Sequence, residues 1–414
     1  MKILLLGNGG REHALARKFD LDGDDVFAAP GNPGIAQVAQ VCDLDLLDPS
    51  AVAALATRLG VDLVVVGPEA PLVAGVADAV REAGVPVFGP SGAAARLEGS
   101  KAFAKQVMAA AGVPTARAHV CTTAEQAGAA LDDFGPPYVV KDDGLAAGKG
   151  VVVTADRDAA LAHAAGCAQV VIEEFLDGPE VSLFAVCSFD EEGVMAFPLQ
   201  PVQDFKRIRD FDQGPNTGGM GSYTPLIWAP DDLVEEVMTE IVLPTLEEMW
   251  DRGTPFTGLL FVGLALTSQG TRVIEFNARF GDPETQSLMA MLASPLAPLL
   301  LSAATGTMDE NVAPVFADGA ACTVVMASAG YPGSSSSGDP ITGIEDAEAL
   351  DDVHVIQAGT ALSASGDLVT SGGRVLAVVA TGEDLPTARA AAYAGVDLIS
   401  FPGSQHRTDI AAGL

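Results

Sequence analysis

The 414-residue chain is 49% apolar and 19% charged, and it contains 45 glycines. That balance excludes a disordered chain and supplies enough apolar material for two to four α/β domains. Its 55 acidic and 22 basic residues leave a net charge of −33, the wrong sign for a polynucleotide surface.

The first hundred residues alternate strand and helix. Apolar runs at 2–6, 25–29, 61–66 and 85–88 read as strands; 11–19, 50–59 and 71–83 read as helices. The run 61–66 is continuously apolar, as in a parallel strand buried on both faces, so the layout is doubly wound α/β. A helix over 100–111 stops at Gly112 and Pro114. Strands at 138–141 and 151–154, a helix, and strands at 170–174 and 180–188 are expected to form a small α/β module of about 75 residues. A helix over 234–250 carries a kink at Pro244, and 256–266 pairs with 271–276. Pro314 marks a boundary. Beyond it, strands are expected at 321–327, 353–358 and 374–380 and a helix at 386–394, with a Gly/Ser surface loop at 330–338.

Five scattered cysteines, Cys42, Cys121, Cys167, Cys187 and Cys322, form no C-x-x-C pair, which disfavours zinc ribbons and redox motifs. Residues 1–7 are apolar but too short for a membrane span and lack a cleavage pattern; no later run is long enough. The expectation is a soluble, cytoplasmic monomer without nucleic-acid or membrane partners. The acidity fits either a well-solvated enzyme or a salt-rich cytoplasm that screens carboxylate repulsion.

Gly7-Asn8-Gly9-Gly10-Arg11 joins a strand to a helix, but the third glycine of a dinucleotide fingerprint is replaced by Glu12. The ribose-binding acid expected about twenty residues later is also missing, so an oxidoreductase is disfavoured. Backbone N–H groups and a helix dipole there suit a small phosphate, with Arg11 as a cation; a ligand-free tight turn is the alternative. Loops at 30–34 and 67–71 also lie where the carboxyl ends of parallel strands converge.

Val139-Val140-Lys141 leads into a glycine turn that contains Gly148, Lys149 and Gly150 and returns as a strand. Such a turn either covers a triphosphate or is an ordinary hairpin. Glu173, Glu174 and Leu176 end the next strand, with Glu180 shortly after; they border a nucleotide or form a surface acidic group. In Glu275-Phe276-Asn277-Ala278-Arg279, alternate residues project together. Two oxygen ligands beside an arginine suit Mg²⁺ and a transferring phosphoryl group, which argues against a purely nucleotide-sensing protein. Lys206, Arg207 and Arg209 form a cationic cluster just before the glycine-rich stretch 214–221. We expect this cluster to neutralise phosphate, and we expect the 144–150 turn and the 214–221 loop to cover the site.

In this order, these pieces resemble the ATP-grasp superfamily and, within it, the phosphoribosylamine–glycine ligase family. The run Arg279-Phe280-Gly281-Asp282-Pro283-Glu284-Thr285-Gln286 is similar to that family's signature and separates it from other ATP-grasp ligases. The resemblance covers nearly the whole chain. It implies an α/β and α+β multidomain protein: an ATP-grasp fold (100–312, with a nucleotide lid at about 115–190) preceded by a doubly wound parallel-sheet N-terminal domain (1–99) and followed by a small C-terminal α/β domain (313–414). It also implies a carbon–nitrogen ligase of purine biosynthesis that uses ATP and Mg²⁺ or Mn²⁺ to join glycine to 5-phosphoribosylamine through a glycyl phosphate. By the same resemblance, Lys105 and Lys141 hold ATP phosphates. Glu173, Glu174 and Leu176 border adenine, Glu180 the ribose, and Glu275 and Asn277 the metal, while Arg279 faces the acyl phosphate. Gly9, Gly10, Arg11, Gly31, Asn32, Pro68 and Glu69 shape the phosphoribosylamine site, with Lys206 and Asp282 also on the substrate side. Asp142, Phe205 and a shortened 154–170 stretch depart from the family pattern.

Overall fold

A computed structural model describes residues 1–145 and 150–413. Five parallel strands form the N-terminal sheet in the order Gln40–Val41, Asp25–Pro30, Lys2–Gly7, Leu63–Val66, Val87–Phe88. Ile3, Leu4, Leu5 and Leu6 are fully buried at its centre, which explains why both faces of that strand are apolar. The Pro49–Leu59 helix starts where the Asp48 side chain accepts the Ser50 and Ala51 N–H groups, and it ends at left-handed Gly60. The helix expected over 71–83 is two pieces, Glu69–Val73 and Val76–Glu82. Gly75, with φ +83°, breaks it, a conformation that glycine adopts without steric cost. The strands expected at 61–66 and 85–88 shorten to their last residues.

The Lys101–Ala111 helix, capped by Ser100, leads to a small antiparallel sheet ordered Ala118–Cys121, Val170–Glu173, Tyr138–Asp142, Val151–Thr154. The helices Ala124–Phe134 and Arg157–Ala165 close a separate core around Leu131, Val140, Ala160 and Ile172. The strand expected to complete this module, 180–188, lies elsewhere. Glu180–Phe189 pairs with Gly258–Thr267 in a central sheet that also holds Val194–Pro198 and Gly270–Asn277. Eight consecutive buried residues explain the difference, because such a strand needs cover on both faces. The kink expected at Pro244 is absorbed as a π-turn, Met238–Val242, in which the Leu243 N–H reaches back to the Met238 carbonyl.

The third sheet is ordered Gln203–Asp204, Gly221–Thr224, Ala320–Ala327, Arg374–Gly382, Val353–Gln357. Two of its strands precede the boundary expected at Pro314, so the C-terminal sheet is completed by the middle of the chain. The Glu284–Met291 helix packs against both the Gly10–Leu21 helix and the Ala320–Ala327 strand. It ties all three units together, and seven of its eight residues are buried. The five cysteines are free, and Cys121, Cys187 and Cys322 are buried. Among the described residues, no helix is long and apolar enough to cross a membrane.

Candidate active site

The carboxyl ends of the three central parallel strands converge as expected, and Glu12 fills the space between them. A Cβ at Gly7, Gly9 or Gly67 would meet the Glu12 side chain, so these glycines make room for it. Glu12 is 2% exposed, accepts the Gly9 N–H at 2.6 Å and pairs with Arg11 Nε at 2.5 Å. The residue that breaks the dinucleotide spacing is therefore the turn's structural centre. Arg11 also donates to the Phe280 carbonyl at 3.0 Å. Gly10 opens the helix, and Gly31 takes a φ of +68° at the next loop. Asn32 ties loops together, donating to the Asn8 and Gln357 carbonyls at 2.9 Å and accepting the Ile35 N–H. Pro68 caps the short helix that begins at Glu69.

On the other side of the Gly270–Asn277 strand's end, Lys141 from the Tyr138–Asp142 strand and Lys105 from the Lys101–Ala111 helix meet at a single carboxylate. Lys141 Nζ lies 2.8 Å and Lys105 Nζ 3.0 Å from the two Glu173 oxygens. Lys141 also donates to the Ile274 carbonyl, and Lys105 to Thr115 Oγ1 and the Ala116 carbonyl, each at 2.9 Å. Burial disfavours charge on Glu173, but the two lysines outweigh it and hold its carboxyl below the usual range. Burial dominates at Lys105 and lowers its ammonium. One carboxylate cannot neutralise two buried cations, so the triad carries a surplus positive charge suited to phosphate oxygens. Glu174 turns outward to Arg117 at 2.8 Å, and Leu176 is half-buried in the following linker. Gly148 and Lys149 lie outside the described residues. Gly150 is buried, and its carbonyl accepts the Asp142 N–H.

Lys206 Nζ sits 2.6 Å from Glu180. Burial opposes its charge, but Glu180, Asp204 and Glu275 outweigh that and raise the ammonium well above its ordinary value. Burial also raises Asp204, and burial together with Asp204 lifts the Glu284 carboxyl to about 7. The pocket thus holds more carboxylate than Lys206 and Arg279 offset, an imbalance that a cation relieves. Among the described residues, no three His, Cys, Asp or Glu side chains converge as a protein-only metal cage. Glu275 and half-buried Asn277, at the end of the Gly270–Asn277 strand, offer two oxygen donors, which fits a hard cation completed by water and phosphate.

Arg279 links the two sides. Its guanidinium lies 3.3 Å from Glu69 and 3.0 Å from Glu98. Burial opposes its charge, and the carboxylates of Glu98, Glu69, Glu284 and Glu275 outweigh that. Glu98, which sequence reading missed as a site residue, also accepts the Ala278 N–H at 2.8 Å. Arg374 was missed as well; it donates to the Gly218 and Asp282 carbonyls at 2.6 Å. Asp282 accepts from Gln286 at 2.9 Å, and burial of its carboxyl is outweighed by Arg374 and Arg11. The expected 214–221 cover is partly a hairpin, Arg207–Arg209 with Gln213–Asn216. Its glycine end is fixed: the Gly218 N–H donates to Tyr331 Oη at 2.8 Å, and Arg374 holds the Gly218 carbonyl. Tyr331, from the 330–338 loop, therefore has a structural role at the site rim.

Known proteins similar to this chain span its whole length. Residues 1–98, 99–285 and 321–413 match the family models of the phosphoribosylglycinamide synthetase N domain, ATP-grasp (A) domain and C domain. The phosphoribosylamine–glycine ligase of Streptomyces coelicolor is 64% identical over 417 residues, spanning 100% of this chain and 99% of its own. The crystal structure of phosphoribosylamine–glycine ligase from Thermotoga maritima superposes with a TM-score of 0.84 at 33% identity, covering 99% of this chain and 100% of that one. The biotin carboxylase domain of a Hydrogenobacter thermophilus 2-oxoglutarate carboxylase, crystallised with MgADP and bicarbonate, shares the fold at a TM-score of 0.72 and 16% identity, covering 98% of this chain and 91% of that one.

Proposed function

The chain belongs to the phosphoribosylglycinamide synthetase family of ATP-grasp ligases, and from that premise we propose that it joins glycine to 5-phosphoribosylamine with consumption of ATP. The product is glycinamide ribonucleotide, with ADP and phosphate, in the cytoplasmic synthesis of purines by a monomeric enzyme. Domain boundaries near 99/100 and 312/313 go with this reading.

A carboxylate is a poor electrophile until its oxygen becomes a good leaving group. A glycine carboxylate oxygen attacks the γ-phosphorus and ADP departs, leaving glycyl phosphate. The amine of phosphoribosylamine then attacks the carbonyl carbon, and phosphate leaves with one former glycine oxygen. The first step brings anions together, so positioned cations supply most of the catalysis. Lys105 and Lys141 hold ATP phosphates, and Gly148, Lys149 and Gly150 contribute to ATP binding. Glu173, Glu174 and Leu176 border the adenine, with Glu180 at the ribose. Glu275 and Asn277 hold Mg²⁺ or Mn²⁺, which when bound neutralises phosphate charge. Gly9, Gly10, Arg11, Gly31, Asn32, Pro68, Glu69 and Asp282 shape the phosphoribosylamine side, and Lys206 neutralises phosphate.

The observation that carries this reading is the position of Arg279, which pairs with Glu69 and Glu98 of the N-terminal unit and also feels the charges of Glu284 and Glu275. A guanidinium there reaches an acyl phosphate formed from one side and consumed from the other. Turnover with glycine labelled by ¹⁸O in its carboxylate tests it. Label appearing in the released phosphate supports glycyl phosphate; phosphate free of label sinks it.

A further inference from the structure

The two chain neighbours of Lys206 are both held by one residue of the C-terminal segment. Arg407 is 1% exposed, the largest fully buried side chain among the described residues. Its Cζ lies 4.9 Å from the centroid of the Phe205 ring, and its Nη1 donates to the Arg207 carbonyl at 3.3 Å. It therefore contacts the residue before Lys206 and the residue after it. A planar guanidinium can stack and donate at once; an ammonium cannot.

The far end of this strut is fixed. Asp409 binds Arg407 in a fork of 2.6 and 2.7 Å. Tyr393 donates to the Arg407 carbonyl at 2.9 Å, and Gln405 pairs with Ala327 of the third sheet. Arg407 also binds Asp212 at 2.7 Å, Asp210 accepts from Thr408, and Asp409 accepts the Phe211 N–H. Phe211 and Asp212 both have positive φ, 57° and 52°, without being glycine. For a bulky residue such as Phe211, such backbone persists only where surrounding contacts over-determine it. Phe211 is 83% exposed, so no packing of its own side chain compensates for that conformation.

We propose that Arg407 is a positioning residue for the ligase reaction: from the C-terminal segment it fixes the hairpin that aims the Lys206 ammonium at Glu180 and into the nucleotide cleft. The inference rests on the reading that Lys206 neutralises phosphate during turnover. It also gives Phe205, which departs from the family pattern, a role as the stacking surface for Arg407.

The test is a double-mutant cycle on the full-length enzyme with ATP, glycine and phosphoribosylamine. Lys206→Met and Arg407→Met each lower kcat/KM, the second by about tenfold or more, because small misplacements of a catalytic cation are costly. The double variant then turns over no worse than Lys206→Met alone, since a strut has nothing left to aim. A structural role alone would multiply the two losses, and that result overturns the proposal. Wild-type kinetics for Arg407→Met beside an impaired Lys206→Met overturns it too. Wild-type kinetics for Lys206→Met overturns the Lys206 reading and this inference with it. If Arg407→Met does not fold, Asp212→Asn carries the same cycle, since asparagine tolerates the left-handed backbone. Its loss of kcat/KM should vanish in the Lys206→Met background, and persistence of that loss refutes the strut.

Discussion

Lys141 and Glu173 form a buried ion pair of 2.8 Å, and the same carboxylate also serves Lys105. Removing that carboxylate leaves two largely buried ammonium groups without their shared partner. Glu173→Gln should cost about 3–5 kcal/mol of stability, the usual consequence of stripping one partner from a buried pair. ATP brings the missing negative charge and binds only the folded state. The ATP-induced rise in thermal midpoint should therefore be larger in Glu173→Gln than in wild type. An equal or smaller rise would contradict the assignment of this triad to phosphate.

Glu98 orients Arg279 while accepting the Ala278 N–H. Glu98→Gln keeps an acceptor for that N–H but removes the charge that holds the guanidinium. The expected result is a fall in kcat of about tenfold with little change in KM for ATP, measured by steady-state kinetics. Arg279→Lys loses the planar fork and should fall further, by about 10²-fold. Full activity of Arg279→Lys would remove Arg279 from the chemistry.

His13 makes the seam between the N-terminal and C-terminal units acid-sensitive. Its Nδ1 accepts the Gln357 N–H at 2.8 Å. Burial, reinforced by Arg17, lowers its imidazole to about 4. In the unfolded chain the ring titrates near 6.5, so between those values the unfolded state binds more protons and stability falls as pH drops. Wild type should lose about 1.5 kcal/mol more than His13→Gln between about pH 6.5 and 5, read from chemical denaturation at each pH. Parallel curves for the two proteins would show that His13 does not titrate in this way.

Surface carboxylates such as Asp43, Asp45, Glu191 and Glu192 are exposed in a chain of net charge −33. Raising KCl from about 0.1 to 1 M shortens the screening length from about 10 to 3 Å and weakens their repulsion. The thermal midpoint should rise across that range. A flat or falling midpoint would count against a salt-rich setting for this protein.

Much of the architecture was legible because it depends on local pattern. Continuous apolar runs marked the parallel strands, and glycine-rich turns marked the loops that converge beside them. The Glu284–Met291 helix was not legible as a helix: burial of seven of its residues leaves no amphipathic period to detect. The strands Gln203–Asp204 and Gly221–Thr224 are short and partly polar, and only their place in the C-terminal sheet makes them strands. In the site, Lys141, Glu275 and Arg279 stood out as charges beside apolar strand residues. Glu98 and Arg374 did not, because their meaning lies in partners distant in sequence. Glu12 was visible only as the flaw in a glycine motif; its burial under three glycines shows why the motif takes that form.

In the proposed reaction, ATP consumption activates glycine for attack by phosphoribosylamine. ADP release, measured with each substrate omitted in turn, tests it most directly. Rapid release is expected only when ATP, glycine and phosphoribosylamine are all present. ADP release at the full rate without glycine would contradict it.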